Sequence, residues 1–222
     1  MEKMKELDGG DENIEPIKVI LLGDSGVGKT NIILRYLKNE FDSNSISTIG
    51  TTFGVKELIK NKKTYNLNIW DTTGQEIYRS VTKLFIQGAK IVILVYCINN
   101  KNTFKSLDFW YNSIIEICGE DVILAIVGNK TDLFDQEDDN PDFISEEMGQ
   151  KYAVTKKAFF KLVSAKIDKK GIDSLFEQLL DEYIKKYDST ASVTKFIEKE
   201  VKNNIVIEKK KNNKKHKKKK FC

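Results

Sequence analysis

Four stretches of the chain are almost continuously apolar: IKVILLG (17–23), IVILVYC (91–97), VILAIVG (122–128) and AFFKLVS (158–164). The first three predict buried strands, covered on both faces of a sheet, and the last a fourth apolar strand. Between Leu58 and Trp70 the pattern changes. LIK, then NKK as a turn, then YNLNIW, with Tyr65, Leu67 and Ile69 alternating with polar residues, predicts a β-hairpin. Elsewhere the apolar positions recur at helical spacing. Ile32, Ile33, Tyr36 and Leu37 mark one helix, and Phe104, Leu107, Tyr111, Ile114, Ile115 and Cys118 a second. Ile172, Leu175, Phe176, Leu179, Leu180, Tyr183 and Ile184 define a final amphipathic helix, and residues 75–87 also read as helical. Strands alternating with helices predict an α/β fold, a mostly parallel sheet with helices on both faces.

Composition divides the chain into three. Residues 1–16 are charged and carry no apolar run, so they read as a flexible lead-in rather than a signal segment. Residues 17–187 hold all the periodic segments and form one domain. Residues 188–222 lose the apolar pattern and end in KKKNNKKHKKKKFC, a polybasic tail expected to be flexible. Twelve lysines in this tail face Asp188, Glu198, Glu200 and Glu208, a net of +8; the whole chain is +4, so residues 1–187 carry −4. The basic character therefore belongs to the tail. The three cysteines, Cys97, Cys118 and Cys222, are too few and too scattered for a disulfide framework and fit a reducing compartment. No apolar run is long enough to span a bilayer.

Two motifs carry chemistry. GDSGVGKT (23–30) follows the first strand and opens the first helix, matching G-x-x-x-x-G-K-[ST]. Its glycines let successive N–H groups turn toward an anion, and the helix N-terminus adds positive potential. Asp24, Ser25, Gly26, Val27, Gly28, Lys29, Thr30 and Asn31 thus form a candidate phosphate cradle. Lys29 is placed to reach β- and γ-phosphates and Thr30 to put its hydroxyl on Mg²⁺. The plain alternative is a Gly-rich turn with an exposed Lys. The second motif, GNKTDL (128–133), ends the third buried strand. A carboxylate here accepts two adjacent donors, a ring N–H and an exocyclic NH₂, which guanine offers and adenine does not. Asp132 is the candidate specificity residue. Asn129 and the stem of Lys130 would frame the base. SAK, Ser164, Ala165 and Lys166, ends the fourth strand, where the Ala165 N–H is a candidate donor to the guanine O6.

With these motifs in place the chain resembles the Ras superfamily of small GTPases, and within it the Rab branch. The resemblance covers residues 17–187 and includes IGTTFG (49–54), NLNIW (66–70), IYRSVT (77–82), FIQGA (85–89) and LVYCIN (94–99). It implies a P-loop NTPase G domain with a mostly parallel six-stranded sheet, binding GTP or GDP with Mg²⁺. It also implies roles. Phe41 packs against the guanine edge, and Thr48 is the threonine of the first switch loop. Asp71 holds Mg²⁺ through water, together with Thr30 and Thr48. The Gly74 N–H meets the γ-phosphate, and Gln75 orients the attacking water. Loss of the γ-phosphate would release Thr48 and Gly74, so partners would read loop shape. Effectors, an exchange factor and an activating protein would engage residues 41–54 and 72–82. The sequence offers no Arg to complete the site in cis, so fast turnover implies one supplied by an activating protein.

The chain departs from the family in places. Thr73 stands where the family usually has Ala, beside the expected position of the γ-phosphate. It either crowds Gln75 and slows hydrolysis, accepts a phosphoryl group, or turns away. If it blocks hydrolysis, the protein is a GTP-binding scaffold or tether instead of a timed switch. Thr52 and Gly54 replace residues commonly acidic and basic, so the partner set is expected to be unusual. The acidic loop DQEDDNPD (135–142) lengthens the span from Asn129 to Ser164. It reads as solvated surface or as a partner site. The tail has one cysteine, Cys222, after Phe221 and no C-a-a-X box. A polybasic segment beside a lipidated Cys222 suits an anionic membrane surface. A nuclear or nucleic-acid patch and a merely solvated tail are the alternatives, and no interleaved aromatics favour nucleic acid. The implied setting is the cytoplasm, cycling to the cytosolic face of endomembranes in vesicle transport.

Overall fold

The computed structural model describes residues 16–43, 52–72, 84–136 and 141–188. In chain order the elements are β1 (Ile17–Leu22), α1 (Lys29–Lys38), β2 (Thr52–Lys60), β3 (Lys63–Asp71) and β4 (Ile91–Cys97). Then follow α2 (Lys101–Lys105), α3 (Leu107–Cys118), β5 (Ile123–Asn129), α4 (Glu146–Thr155), β6 (Phe159–Val163) and α5 (Lys169–Tyr183). One six-stranded sheet runs β2-β3-β1-β4-β5-β6. All pairings are parallel except β2 with β3. The expected fold class is therefore the observed one.

Three of the four apolar runs are the central strands β1, β4 and β5, covered on both faces, whereas AFFKLVS gives the edge strand β6, half-buried except at Val163. β4 and β5 are buried at every position. On one face Ile20, Leu22, Val92, Leu94, Tyr96, Leu124 and Ile126 pack with Leu107, Trp110 and Ile114 of α3 and Ala153 of α4. On α1 and α5, Tyr36 and Phe176 stack face to face with ring centres 3.8 Å apart. The edge strand β2 shows the other regime. Its residues alternate, leaving Phe53, Val55 and Ile59 exposed. With one face in solvent it carries no continuous apolar run, which is why sequence pattern recovered only LIK of its nine residues. The turn is also tighter than NKK. Asn61 and Lys62 alone form it, with φ of 53° and 63°, and Lys63 already pairs with Lys60. Positive φ at both central residues matches the right-handed twist of a two-residue hairpin.

Helix boundaries differ more. The expected helix over 104–118 starts earlier, at Lys101, where the Asn100 side chain accepts from the Asn102 N–H, and breaks at Ser106 into α2 and α3. The sequence pattern missed α4. That helix has only Gly149 and Ala153 buried, so its apolar stripe is thin. Its start signal was nonetheless present. Ser145 caps Met148 N–H, with Glu146 and Glu147 in the first turn. Lys156, just past α4, ties it to α3: Nζ lies 2.7 Å from Asp108 and 4.3 Å from the Tyr111 ring centre. Of the helix expected at 75–87, Leu84–Ile86 are helical and residues 75–83 lie outside the described set. Cys97 is buried and Cys118 half-buried, both as free thiols.

By contacts the chain divides into two units, Met1–Leu179 and Leu180–Cys222. In the described part of the second, a π-helical turn at Ile184–Asp188 follows α5, with the Tyr183 and Tyr187 rings 4.9 Å apart. Among the described residues no helix is long and apolar enough to cross a membrane.

Gly149 is where α4 approaches the sheet. A Cβ there would lie 2.5 Å from both the Tyr96 hydroxyl and the Phe160 ring. Gly128 makes room for the same hydroxyl, with 2.7 Å to an added Cβ. The Tyr96 hydroxyl is buried with no hydrogen-bond partner among the described residues. Replacing a helical Gly by Ala ordinarily gains about 1 kcal/mol, whereas overpacking costs about 1–3 kcal/mol. Rigid ring atoms cannot yield cheaply, so Gly149→Ala is expected to lower stability. Tyr96→Phe removes a desolvated hydroxyl and is expected to raise it by about 1 kcal/mol. Urea unfolding at fixed nucleotide concentration reads both signs.

Candidate functional site

The parallel strands all end at one edge of the sheet, and the loops that follow them meet there, the usual ligand position in such sheets. After β1 the backbone turns through Gly23 and Gly28, whose φ values are 142° and 96°. Neither position has room for a side chain. A Cβ on Gly23 would lie 2.1 Å from the Val95 carbonyl oxygen, and one on Gly28 2.3 Å from Asn129 Nδ2. The turn delivers the chain into α1 with no side chain capping the helix start.

Lys29 opens α1 and is only 5% exposed. Its Nζ donates to the carbonyls of Gly23 (2.7 Å) and Asp24 (2.8 Å). Burial lowers the ammonium pKa to about 8, against the opposing pull of the Asp71 and Asp24 charges. Thr30 follows, its hydroxyl donating to Asp71 Oδ2 at 2.7 Å. Asp71 is the last residue of β3, and the next, Thr72, is anchored by its hydroxyl to the Leu21 carbonyl at 2.6 Å. Asp24 points its carboxylate elsewhere, accepting from the Trp110 indole N–H of α3 at 2.9 Å.

The far end of the cleft is built by β5 and β6. Asn129, 1% exposed, is an internal strut. Its Nδ2 donates to the Val27 carbonyl (2.8 Å) and its Oδ1 accepts from the Ala165 N–H (3.1 Å). The Ser164 hydroxyl donates to Asp132 Oδ1, and Lys166 Nζ lies 3.9 Å from Asp132 Oδ2. Lys130 turns the chain between them with a φ of 72°. The two walls are gripped from α1. The Asn31 amide makes a paired contact with the Asp42 backbone, donating to its carbonyl (3.0 Å) and accepting from its N–H (2.8 Å). Arg35 reaches the carbonyls of Ala165 and Lys166.

Together these groups enclose a cleft of about 440 Å³, within the range of small-molecule sites. Of the residues singled out from sequence, Ser25, Gly26, Gly28, Lys29, Thr30, Asn31, Phe41, Asn129, Lys130, Asp132, Ala165 and Lys166 line it. Asp24, Val27, Asp71 and Ser164 stand behind the lining and hold it through the bonds just described. Two of these residues also have partners within the protein. Asn129 bridges Val27 and Ala165 while facing the cleft, and the Ala165 N–H donates to its Oδ1, as a buried amide oxygen needs a donor. Asp42, Ser43, Thr72 and Leu133 also line the cleft and were not singled out. Asp42, Thr72 and Leu133 adjoin Phe41, Asp71 and Asp132, and Ser43 follows Asp42; that proximity was the available signal. Thr48, Thr73, Gly74, Gln75 and Cys222 lie outside the described residues.

A lysine-bearing glycine turn at one end of a cleft and an acceptor carboxylate at the other suit a nucleotide. Comparison with known proteins agrees. The Ras family profile matches residues 18–186. The RABA1b protein of Arabidopsis thaliana is 35% identical over 197 residues, covering 85% of this chain and 88% of its own. The GTP-binding protein ypt3 of Schizosaccharomyces pombe is 34% identical over 165 residues, 74% of each chain. The SEC4 protein of Candida albicans is 32% identical over 189 residues, 85% of this chain and 81% of its own. The chain belongs to the Ras family of small GTPases, in its Rab branch.

Proposed function

We propose that this GTPase is a switch in vesicle transport that binds GDP or GTP with Mg²⁺ in the cleft, hydrolyses GTP slowly and recruits effectors in the GTP state. The observation that carries the reading is the pairing of the Lys29 cradle with the Asp132 carboxylate across one cleft. Among the described residues the Lys29 ammonium donates to two neutral carbonyls, and burial outweighs the pull of Asp71 and Asp24 to lower its pKa. Phosphate oxygens would supply the missing charge. At the other end Asp132, steadied by Ser164, would accept both guanine donors, and Phe41, also lining the cleft, would cover the ring.

The Thr30 hydroxyl and the Asp71 carboxylate present hard oxygens side by side next to the cradle, a donor set that fits Mg²⁺. Thr30, Asp71 and Thr48 would hold the ion. When bound, it neutralises charge on the β- and γ-phosphate oxygens. The remaining work falls to the chain. Lys29 binds the phosphates, the Gly74 N–H meets the γ-phosphate, and Gln75 orients the attacking water. Residues 41–54 and 72–82 then present the nucleotide state to effectors, exchange factor and activating protein. The polybasic tail would hold the protein to the cytosolic face of endomembranes, with Cys222 as candidate lipid acceptor.

Release of fluorescent GDP tests the nucleotide reading. Asp132→Asn exchanges an acceptor for a donor, so GDP should bind roughly a hundredfold more weakly while xanthosine diphosphate, with a carbonyl at C2, gains. Chelating Mg²⁺ should hasten GDP release from the native chain. Undiminished GDP binding by Asp132→Asn would refute the base assignment.

Single-turnover hydrolysis, with and without a Rab-type activating protein, separates the timed switch from a hydrolysis-deficient tether. A switch requires equal rates for the native chain and Thr73→Ala, and loss of the stimulated rate in Gln75→Leu. A nearly inactive native chain revived by Thr73→Ala supports the tether.

For the tail, removing residues 209–222 should cut binding to phosphatidylserine vesicles by about a hundredfold or more, and added salt should weaken the native chain similarly. Equal affinity for RNA would count against a membrane role.

A further inference from the structure

Arg35 lies on the last turn of α1 and is not among the residues lining the cleft. Its guanidinium is nevertheless engaged through three nitrogens. Nε donates to the Ala165 carbonyl at 2.9 Å and Nη2 to the Lys166 carbonyl at 2.8 Å. Nη1 donates to the Asn39 carbonyl at 2.9 Å and to Asn39 Oδ1 at 3.0 Å. Asn39 is the left-handed residue that ends α1, so the arginine is steadied where its own helix stops.

The two carbonyls taken from the β6 side belong to consecutive peptide units. Each unit is planar, so fixing its carbonyl also fixes the N–H on its opposite side. Those N–H groups are Lys166 N–H and Ile167 N–H. Both donate to Ser164 Oγ, at 3.2 and 3.3 Å. A hydroxyl oxygen that accepts twice has its own proton left to give. Ser164 gives it to Asp132 Oδ1. Orientation therefore passes from Arg35 through two peptide planes and one hydroxyl to the carboxylate at the end of the cleft.

We propose that Arg35 is a positioning residue for base selection: it holds the Ser164–Lys166 turn so that Ser164 fixes Asp132 in the pose that accepts both donors of guanine. This rests on the base-binding role given to Asp132 above. The forked guanidinium matters as well as its charge, because two carbonyls in fixed relative positions are held at once. A lysine ammonium, a single mobile point of donation, does not reproduce that geometry.

The test uses the full chain and two nucleotides, GDP and inosine diphosphate. Inosine keeps the ring N–H and the carbonyl but lacks the 2-amino group that one Asp132 oxygen would accept. Dissociation rates of both are measured for the native chain, Arg35→Ala, Arg35→Lys and Asn39→Gly, with single-turnover hydrolysis of preloaded GTP alongside. Asn39→Gly keeps the left-handed helix end and removes only the Oδ1 acceptor, so it is a folding-safe variant.

The native chain should hold GDP longer than inosine diphosphate. Arg35→Ala and Arg35→Lys should release GDP about tenfold faster or more. Their release of inosine diphosphate should accelerate less, since only its ring N–H contact is there to lose, so the preference narrows. Asn39→Gly should move the ratio the same way by less. Hydrolysis of bound GTP should stay within about twofold, since none of the Arg35 contacts reaches the phosphate end.

Equal acceleration of both nucleotides would show general loosening and overturn the proposal. Full restoration of the native ratio by Arg35→Lys would overturn it too. A native chain that releases both nucleotides at one rate would refute the Asp132 reading itself. A native preference that persists intact in Arg35→Ala sinks only the role of Arg35.

Discussion

A lysine ammonium withdrawn from water has to be surrounded by oxygen, and much of the site follows from meeting that demand at Lys29. The carbonyls of Gly23 and Asp24 must point inward, which bends the backbone where a side chain on Gly23 would strike the Val95 carbonyl. With its carbonyl committed to Lys29, Asp24 directs its carboxylate to the Trp110 indole. Asp71 comes close enough to oppose the lowering of the lysine pKa while taking the Thr30 hydroxyl. Carbonyl dipoles soften the cost of burial without cancelling the charge, which leaves the cradle suited to an anion.

α1 carries more than the cradle. Its first turn supplies Lys29, Thr30 and Asn31, and its last turn supplies Arg35. Asn31 grips the backbone beside Phe41, and Arg35 grips the turn after β6. Both walls of the cleft are thus fastened to one rigid rod by hydrogen bonds, not by the hydrophobic core. On its buried side the rod is set by the Tyr36–Phe176 stack. Apolar packing places the helix, and polar contacts set the loops from it. That division lets loops adjust to a ligand while the sheet stays fixed.

The sequence revealed what is local and what is buried on two sides. GDSGVGKT stood out by its spacing, and β1, β4 and β5 because a doubly covered strand has no polar face to interrupt it. β6 was legible by its apolar run although it is an edge strand, half-buried except at Val163. β2 was mostly hidden since an edge strand with Phe53 and Val55 in solvent follows neither template. α4 was hidden because two small residues, Gly149 and Ala153, make its contact with the core. The same limit applies within the site. Asp132 was singled out by its chemistry and lines the cleft, but the Asn129 strut joins residues 102 positions apart, and the Arg35 bonds span 130 and 131. No spacing along the chain encodes such partners.

Trp110 gives the protein an optical property. The chain has two tryptophans, and they occupy different settings. Trp70 sits near the hairpin edge among Phe53, Phe85 and the Lys18 ammonium. Trp110 is buried, with its indole proton held by the Asp24 carboxylate in the glycine turn after β1. Indole emission is sensitive to a neighbouring charge, so any movement of the loop that shifts Asp24 alters the colour and yield of one chromophore and leaves the other as an internal reference. The unlabelled protein therefore carries a gauge of its own cradle, read in ultraviolet light.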